Sequence, residues 1–424
     1  MDNILLAQED MCGEGKIRFL EALNANEVAL VENYLQSDII HVDQIFYVED
    51  EHMKLAAYKP GFWLPNYKLQ SSSVMPLHMA AALGREECTR VLLRRGADPN
   101  AMPNGKTPLH VACLLERPAI VSLLLEYGAD PDKYSTGGLA AIHYCTTLQS
   151  LECSLLLLSA GADVNLETGN TAEEMPLHTA ARCGLPEHAA LYVSHGAEVD
   201  GSDGHDETPL CTAIFWALSM RNMCVSPQHH KVCERLLTLG ADPNGVDTDR
   251  KSALHRAAWN ADCTLLELLL SAGAHVNQLD GLGCTALQYI VRVVSVRPTL
   301  QPERCIQMLL NHGSVSIYPL QFHKVLELCG DSPTAVEILV NSYKQLRITH
   351  AWAPALSQDA REAHGDFYAS LLHFCNGVPR SLLHLSRCAI RGVLGERCHC
   401  QIPRLPLPAR LRDYLLLDPE GIIY

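Results

Sequence analysis

The stretch that decides the fold opens with Thr107-Pro108-Leu109-His110 and closes with Gly128-Ala129-Asp130-Pro131-Asp132. The opening phrase returns along the chain, and its central aliphatic residue stands at positions 77, 109, 142, 177, 210, 254 and 287. The spacings between these positions are 32, 33, 35, 33, 44 and 33 residues. A nearly constant period indicates an array of similar units that must stack, because one unit alone cannot bury its apolar surface.

Each unit has the chemistry of two short helices. Thr107 can cap a first helix, and Pro108 is tolerated in its first turn. Leucine runs such as 123–125 supply the buried stripe of a second helix, and Gly128 then supplies a left-handed cap before a turn. These phrases resemble the ankyrin repeat. The resemblance predicts an all-α fold, an ankyrin-repeat solenoid of helix pairs with β-hairpin loops.

The histidine of the opening phrase recurs at the repeat period. A catalytic residue has no reason to recur in this way, whereas a structural hydrogen bond does. We therefore expect a structural role for these histidines, and we predict neither catalytic residues nor a cofactor. The recurring histidines are His78, His110, His143, His178 and His255.

The C-terminal segment follows a different pattern. The segment 379–391 has apolar residues at 382, 385, 389 and 390, which predicts an amphipathic helix, and a second short helix is expected over 411–417. Between them stands Leu405-Pro406-Leu407-Pro408. This order resembles a SOCS box, a three-helix module whose first helix docks on elongin C. The resemblance implies contacts from Leu382, Leu385, Ser386 and Ile390, with Ser386 at a position where the motif has cysteine.

The proline motif resembles the box that selects cullin-5. The resemblance implies that Leu405, Pro406, Leu407 and Pro408 bind cullin-5. The two prolines fix an extended backbone before binding, which lowers the cost of ordering. A lone motif of this kind is more often a proline-rich turn. Its place after the predicted helix favours cullin binding.

Together, the two patterns resemble the ankyrin-repeat and SOCS-box family over about residues 19–424. The resemblance implies a non-catalytic adaptor that recruits elongins B and C and cullin-5 with a RING protein. Its repeats would hold an unknown target protein for ubiquitination and proteasomal degradation. The alternative is a non-degradative ankyrin scaffold. The sequence does not identify the target.

The predicted organisation has five parts. They are a flexible N-terminus (1–18), a degenerate first repeat with an insertion (19–73), the main repeats (74–318), degenerate capping helices (319–367) and the SOCS box (368–424). Terminal units of a repeat array are expected to be atypical.

The spacing of 44 residues predicts an insertion near 219–230. Cys224, His229, His230 and Cys233 have metal-like spacing there, and four converging ligands would make a closed zinc site. An exposed polar loop is the preferred interpretation, so we predict no metal.

The net charge of −15 argues against nucleic acid as a partner. Residues 368–424 hold 7 Lys+Arg and 4 Asp+Glu, a net of +3, which leaves −18 on residues 1–367. This asymmetry suggests two surfaces with different partners. The start of the chain has no secretory signal, and no apolar run is long enough to span a membrane. We therefore expect a cytoplasmic protein whose 17 cysteines are free thiols.

Asparagines recur in the turns that close the units. In the ankyrin fold, this position can be β-hydroxylated by a 2-oxoglutarate oxygenase, so the resemblance implies an asparagine hydroxylase as a further partner. Asn244 and Asn165 are the preferred sites among Asn100, Asn165, Asn244 and Asn277. The alternative at each position is a plain turn asparagine.

Overall fold

The computed structural model describes residues 13–37, 39–48, 72–219 and 224–423. By its contacts, the chain divides into two compact units, residues 1–204 and 205–424. The first twelve residues and residues 49–71, where the insertion of the degenerate first repeat is expected, lie outside the described residues. Within the described ranges, no helix is both long and apolar enough to cross a bilayer.

The first unit is a stack of helix pairs. First helices pack on first helices and second helices on second helices, as the repeat predicts. The first pair begins at Gly13, inside the segment expected to be flexible. The elements are α1 (Gly13–Ala25), α2 (Val28–Gln36), β1 (Phe46–Val48), β2 (Ser72–Val74), α3 (Pro76–Leu83), α4 (Glu86–Arg94), α5 (Pro108–Leu114), α6 (Pro118–Glu126), α7 (Leu151–Ser159), α8 (Pro176–Cys183) and α9 (Pro186–Ser194).

The second unit continues the same pattern of stacked helix pairs. It also contains the C-terminal module, residues 368–424, which was predicted to be a SOCS box. Its repeat elements are α10 (Pro209–Trp216), β3 (Leu218–Ser219), β4 (Cys224–Val225), α11 (Pro227–Thr238), α12 (Ala253–Asn260), α13 (Cys263–Ser271), α14 (Ala286–Val293) and α15 (Pro302–Asn311). Then come α16 (Phe322–Cys329), α17 (Pro333–Ser342), α18 (Trp352–Ala355), α19 (Gln358–Ala363), α20 (Gly365–Cys375), α21 (Leu382–Leu394), α22 (Cys398–Gln401) and α23 (Ala409–Leu415). The predicted fold class is confirmed.

Local chemistry sets the helix ends. The Thr107 hydroxyl accepts the backbone N–H of His110, and Thr208 accepts that of Cys211, so threonine caps the first helix as expected. Gly128 follows the second helix with a φ of 85°, and this left-handed backbone favours glycine. The same conformation recurs at Gly96, Gly161, Gly196, Gly240, Gly273 and Gly313.

The third full repeat, which begins near residue 140, departs from the pattern. Its first helix is a single 3-10 turn, Ala141–Tyr144. The position before it holds Ala140, which offers no side-chain cap, and the proline of the other units is missing. The weak start therefore yields only a short turn, while the second helix, α7, keeps its full length.

Turns close the units, and short strands bracket the two insertions. Strand β1 pairs with β2 on either side of the first insertion, and β3 pairs with β4 on either side of the second. Both pairs are antiparallel. In the repeat loops, the described residues form turns, with one isolated bridge between Val246 and Ser252. The expected hairpins are thus mostly turns held by side chains.

Candidate functional site

The first predicted helix of the C-terminal module, α21, is capped at its N-terminus by the residue that precedes it. The Ser381 hydroxyl accepts the backbone N–H of His384 at 3.1 Å, so α21 begins at Leu382. The helix runs to Leu394, three residues beyond the predicted end. A 3-10 turn at Gly395–Arg397 then leads into α22.

The four residues expected to contact elongin C share one outward face of α21. Leu382 is 81% exposed, and Leu385 and Ile390 are each more than a third exposed. Ser386 lies between them and is also exposed. Leu382, Ser386 and Ile390 follow one another at intervals of four residues and Leu385 lies three residues after Leu382, so all four lie on one side of the helix. The structure therefore brings the predicted apolar row together and leaves it uncovered.

Ser386 is already hydrogen-bonded within the helix. Its hydroxyl donates to the carbonyl oxygen of Leu382 at 2.8 Å. A buried hydroxyl without a partner would cost about 1–3 kcal/mol, and this internal bond removes most of that cost. Serine can therefore stand at the cysteine position of the motif without an external acceptor.

The histidine and the two arginines of α21 face inward, which the sequence analysis missed. His384 is fully buried, and its Nε2 lies 2.9 Å from the carbonyl oxygen of Tyr343. Burial, helped by Arg380 and Arg387, lowers the pKa of His384 from 6.5 to about 4, so the imidazole is neutral. A histidine and two arginines at 384, 387 and 391 were the available signal, because this spacing defines one helix face.

Two arginines of the same face satisfy backbone carbonyls. The guanidinium of Arg387 stacks 4.1 Å from the Tyr414 ring centre and donates to the Tyr414 carbonyl at 3.5 Å. Arg391 donates to the carbonyl oxygens of Leu310 and Leu415, at 2.9 and 2.8 Å. The planar fork of arginine suits such multiple bonds. These contacts attach α21 to α15 and to α23.

The proline motif is split between core and surface. Leu405 and Leu407 are half-buried and pack against a small core of Cys398, Ile402 and Leu415. Pro406 and Pro408 are exposed. The backbone is extended at Leu405 and Pro408, but the Leu407 N–H donates to the Leu405 carbonyl in a tight turn between them. The prolines are thus displayed on a bend instead of on a uniformly extended strand.

A shallow apolar groove joins the two motifs. It has a volume of about 280 Å³ and is lined by Ala389, Ile390, Val393, Leu394 and Leu405. Val393 is 82% exposed. Because exposed apolar patches of this kind mark interaction sites, the outward face of α21 is a candidate binding surface.

The turn asparagines bridge neighbouring repeats. The Asn165 amide donates to the Gly196 carbonyl at 3.1 Å, and its oxygen accepts the Glu198 N–H at 2.9 Å. Asn244 makes the same pair of bonds, to the Gly273 carbonyl at 3.3 Å and from the His275 N–H at 2.7 Å. Asn100 and Asn277 repeat this arrangement. Neither predicted hydroxylation site differs in kind from the other two.

Family models match both parts of the chain. A SOCS box model matches residues 378–416, and an ankyrin-repeat model of three copies matches residues 77–168. The human ankyrin repeat and SOCS box protein 18 is 40% identical, over 90% of this chain and 81% of its own length. The chain belongs to the ankyrin repeat and SOCS box family.

Other members of the family align over similar lengths. Human ankyrin repeat and SOCS box protein 16 is 38% identical over 86% of this chain and 78% of its own. The human protein 10 of the family is 35% identical over 96% and 88%. The solved ankyrin repeat domain of human ASB11 is 26% identical, with a TM-score of 0.44 over 51% of this chain and 91% of its own.

In this family member, the repeat histidines have the structural role expected of them. Nε2 of His78 lies 2.9 Å from the Lys106 carbonyl oxygen, and Nε2 of His255 lies 3.0 Å from that of Cys284. Each contact links one repeat to the next. Burial lowers the pKa of His78 to about 4, so the ring is neutral.

The second insertion is organised differently from the loop that was expected. His229 and His230 lie in α11, not in an exposed loop, and His230 pairs with Asp262 at 2.7 Å. Cys233 is buried in the core. The side chain of Cys224 lies outside the described residues. Among the residues that the structure describes, no group of metal ligands converges.

In the second unit, the first helices of two repeats, α10 and α12, carry aromatic residues that the sequence analysis also missed. Phe215, Trp216 and Trp259 are each 42–55% exposed. The Arg256 guanidinium lies 5.7 Å from the Phe215 ring, and that of Arg297 lies 5.5 Å from the Trp259 ring. Exposed aromatic side chains are enriched where proteins bind proteins.

Proposed function

We propose that this chain is the substrate-recognition subunit of an elongin B/C–cullin-5–RING E3 ubiquitin ligase. The observation that carries the proposal is the orientation of helix α21, which buries the polar residues His384 and Arg387 and exposes the apolar residue Leu382. An apolar helix face in water is stabilised by a partner groove, and elongin C supplies one. The chain itself is a non-catalytic adaptor.

In the proposed complex, elongin C covers the row formed by Leu382, Leu385, Ser386 and Ile390. Leu382 is the main anchor because it has the most apolar surface left to bury. Elongin B joins through elongin C. The internal bond of Ser386 lets this position enter the interface without a new acceptor.

Cullin-5 with its RING protein binds next to this row. Pro406 and Pro408 supply the accessible contact, while Leu405 and Leu407 hold the motif on the module core. The adaptor then acts by proximity, because it raises the effective concentration of target lysines near the charged E2 enzyme. Ubiquitination and proteasomal degradation of the target follow.

Co-purification tests the elongin contact. The full chain is purified with elongins B and C and with cullin-5, and compared with Leu382→Asp. We expect the substitution to abolish recovery of both partners. Leu282→Asp is the matched control, because Leu282 is 82% exposed but lies in a repeat turn. Recovery of neither partner by the wild type would favour the scaffold alternative.

A second pair of variants separates the cullin contact from the fold. Replacing Pro406 and Pro408 with alanine should remove cullin-5 and retain the elongins. Alanine at Leu405 and Leu407 would also damage the core with Ile402. The proline pair is therefore the cleaner test, and loss of the elongins in that variant would contradict the assignment.

We further propose that the ankyrin repeats hold the target protein. The exposed aromatic residues Phe215, Trp216 and Trp259 support the second unit as a contact surface. We also propose, from the sequence stretches 60–67 and 417–424, a resemblance to the fourth member within the family. Proximity labelling with a variant deficient in cullin-5 binding would identify the target, because the target should then accumulate.

We propose β-hydroxylation of Asn244 and Asn165 by an asparagine hydroxylase. Both amides bridge two repeats, so modification requires local opening of the turn. Mass spectrometry of the purified protein tests the proposal. Absence of a species with an added oxygen at both residues would contradict it.

A further inference from the structure

Two thiols from neighbouring repeats meet in the second unit. The Sγ atoms of Cys263 and Cys305 lie 2.7 Å apart. Cys263 is the first residue of α13, and Cys305 lies in the first turns of α15. Forty-two positions separate them in the sequence, so the contact is produced by the stacking of two repeats.

The two thiols differ in access to solvent. Cys263 is half-buried, whereas Cys305 is completely buried behind it. Such a pair has the layout of a redox site, in which an accessible thiolate reacts first and a neighbouring thiol resolves the product. A second thiol contact, between Cys113 and Cys145, is fully buried on both sides.

The surroundings of Cys263 favour its thiolate. The hydrogen bond from Cys305, assisted by the positive charge of Arg304, lowers the pKa of Cys263 against the effects of burial and of the nearby carboxylates Asp262 and Glu303. Its place at the N-terminus of α13 acts in the same direction. The same hydrogen bond and burial raise the pKa of Cys305, which keeps that thiol protonated.

We propose that Cys263 and Cys305 form a peroxide-sensitive dithiol that oxidises to a disulfide between the sixth and seventh repeats. The oxidant is a hydroperoxide, in the simplest case hydrogen peroxide. This modification site is independent of the ligase function proposed above, because it rests on the contact between α13 and α15 alone.

The chemistry balances in two steps. The Cys263 thiolate attacks one peroxide oxygen, an S–O bond forms, the O–O bond breaks, and the leaving hydroxide takes a proton to become water. The product is a sulfenic acid at Cys263. The Cys305 sulfur then attacks the Cys263 sulfur, an S–S bond forms and the S–O bond breaks. The second hydroxide leaves as water with the proton of Cys305, so two thiols and one peroxide give one disulfide and two waters.

The cross-link would act on the helix that supports the C-terminal module. Later in α15, Gln307 and Asn311 donate their side-chain amides to the Leu416 carbonyl, at 3.0 and 2.8 Å. Oxidation therefore ties α13 to the helix that supports the SOCS box. A cross-link that closes a long loop restricts the unfolded chain, so the oxidised protein should melt at a higher temperature.

Peptide mapping of the full chain tests the proposal directly. Reduced wild-type protein is treated with graded hydrogen peroxide, blocked with N-ethylmaleimide and digested with trypsin without reductant. We expect peptides 257–292 and 305–324 to appear joined, two hydrogen masses lighter than their sum, and to separate with dithiothreitol. Cys263 should lose its reactivity about ten-fold faster than Cys183, another half-buried cysteine.

Three variants assign the bond. Peptide 257–292 also contains Cys284, so Cys284→Ser should keep the cross-link and Cys263→Ser should lose it. Cys305→Ser should instead accumulate a sulfenic acid at Cys263, trapped by dimedone. Oxidation of the wild type without this cross-link, or with Cys113 and Cys145 linked first, would overturn the proposal, and neither outcome depends on whether a variant folds.

Discussion

Two leucine-rich helices of the second unit differ in which face they bury. Helix α13 buries Leu265, Leu266 and Leu269 completely. Helix α21 leaves Leu382 81% exposed and buries His384 and Arg387 instead. Leucine content therefore predicts a helix in both cases, but it does not predict which face the fold covers.

The difference lies in the partners available to each face. The polar stripe of α21 meets backbone carbonyls, and Arg387 and Arg391 can satisfy several of them at once. The polar residues Thr264, Glu267 and Ser271 of α13 are exposed, and the helix packs against α11, α12 and α15 of its own and neighbouring repeats. Hydrogen bonds to the inward polar face stabilise α21 with its leucines outward, and the exposed apolar face is then available to a partner.

The largest expected effect comes from acid, because the repeats and α21 both bury neutral histidines. Burial lowers the pKa from 6.5 to about 4 at His78, His110, His143, His188 and His384. Between these pH values, the unfolded chain binds protons that the folded chain does not. Stability is therefore present above pH 6.5 and is lost as pH falls towards 4, by up to about 3 kcal/mol per histidine.

Thermal melting across this pH range measures the effect. His384→Gln should reduce the fall in melting temperature between pH 7.5 and 4.5. His275→Gln should leave this fall unchanged, because His275 is exposed. A melting temperature that stays constant from pH 7.5 to 4.5 would show that these histidines are not buried as neutral rings.

The leucines themselves provide the next test. Leu269→Ala should cost about 2–5 kcal/mol of unfolding free energy, because it leaves a cavity between repeats. Leu382→Ala should cost less than about 0.5 kcal/mol, because that side chain is in water in the free chain. Urea unfolding of both variants makes the comparison. Equal losses would mean that the outward face of α21 is covered within the chain.

The inward arginines give a third, smaller effect. Arg387→Ala should destabilise the second unit by about 2–3 kcal/mol, since it removes the stack on Tyr414 and the buried hydrogen bonds of the guanidinium to the Tyr414 carbonyl and the His384 ring. Arg387→Lys should not restore the loss, because an ammonium lacks the planar fork. Arg397→Ala is the control, as Arg397 is exposed. If the Arg387 and Arg397 variants were equally stable, the buried polar face of α21 would not be what stabilises the orientation of this helix.

The sequence predicted most of the fold because the repeat signals are local. Thr107, Gly128 and the leucine runs act within a few residues, so their consequences could be stated in advance. The inward turn of α21 depends on carbonyls of Tyr343 and Leu310, which come from distant parts of the chain. The thiol contact of Cys263 likewise needs the stacked repeats. Long-range partners of this kind leave no mark in the sequence period.

The smallest expected effect is at Ser386, where the outward face departs from the motif. Ser386→Cys should tighten elongin B/C binding by only about two- to five-fold, because the serine hydroxyl already donates to the Leu382 carbonyl and little desolvation remains to be recovered. Calorimetric titration of the full chain measures this. Ser370→Cys is the matched control, since Ser370 makes the same bond to Asp366 in α20 and is also exposed. A gain above about a hundred-fold, nearly 3 kcal/mol, would show that the internal bond breaks on binding and that serine is a true defect at this position.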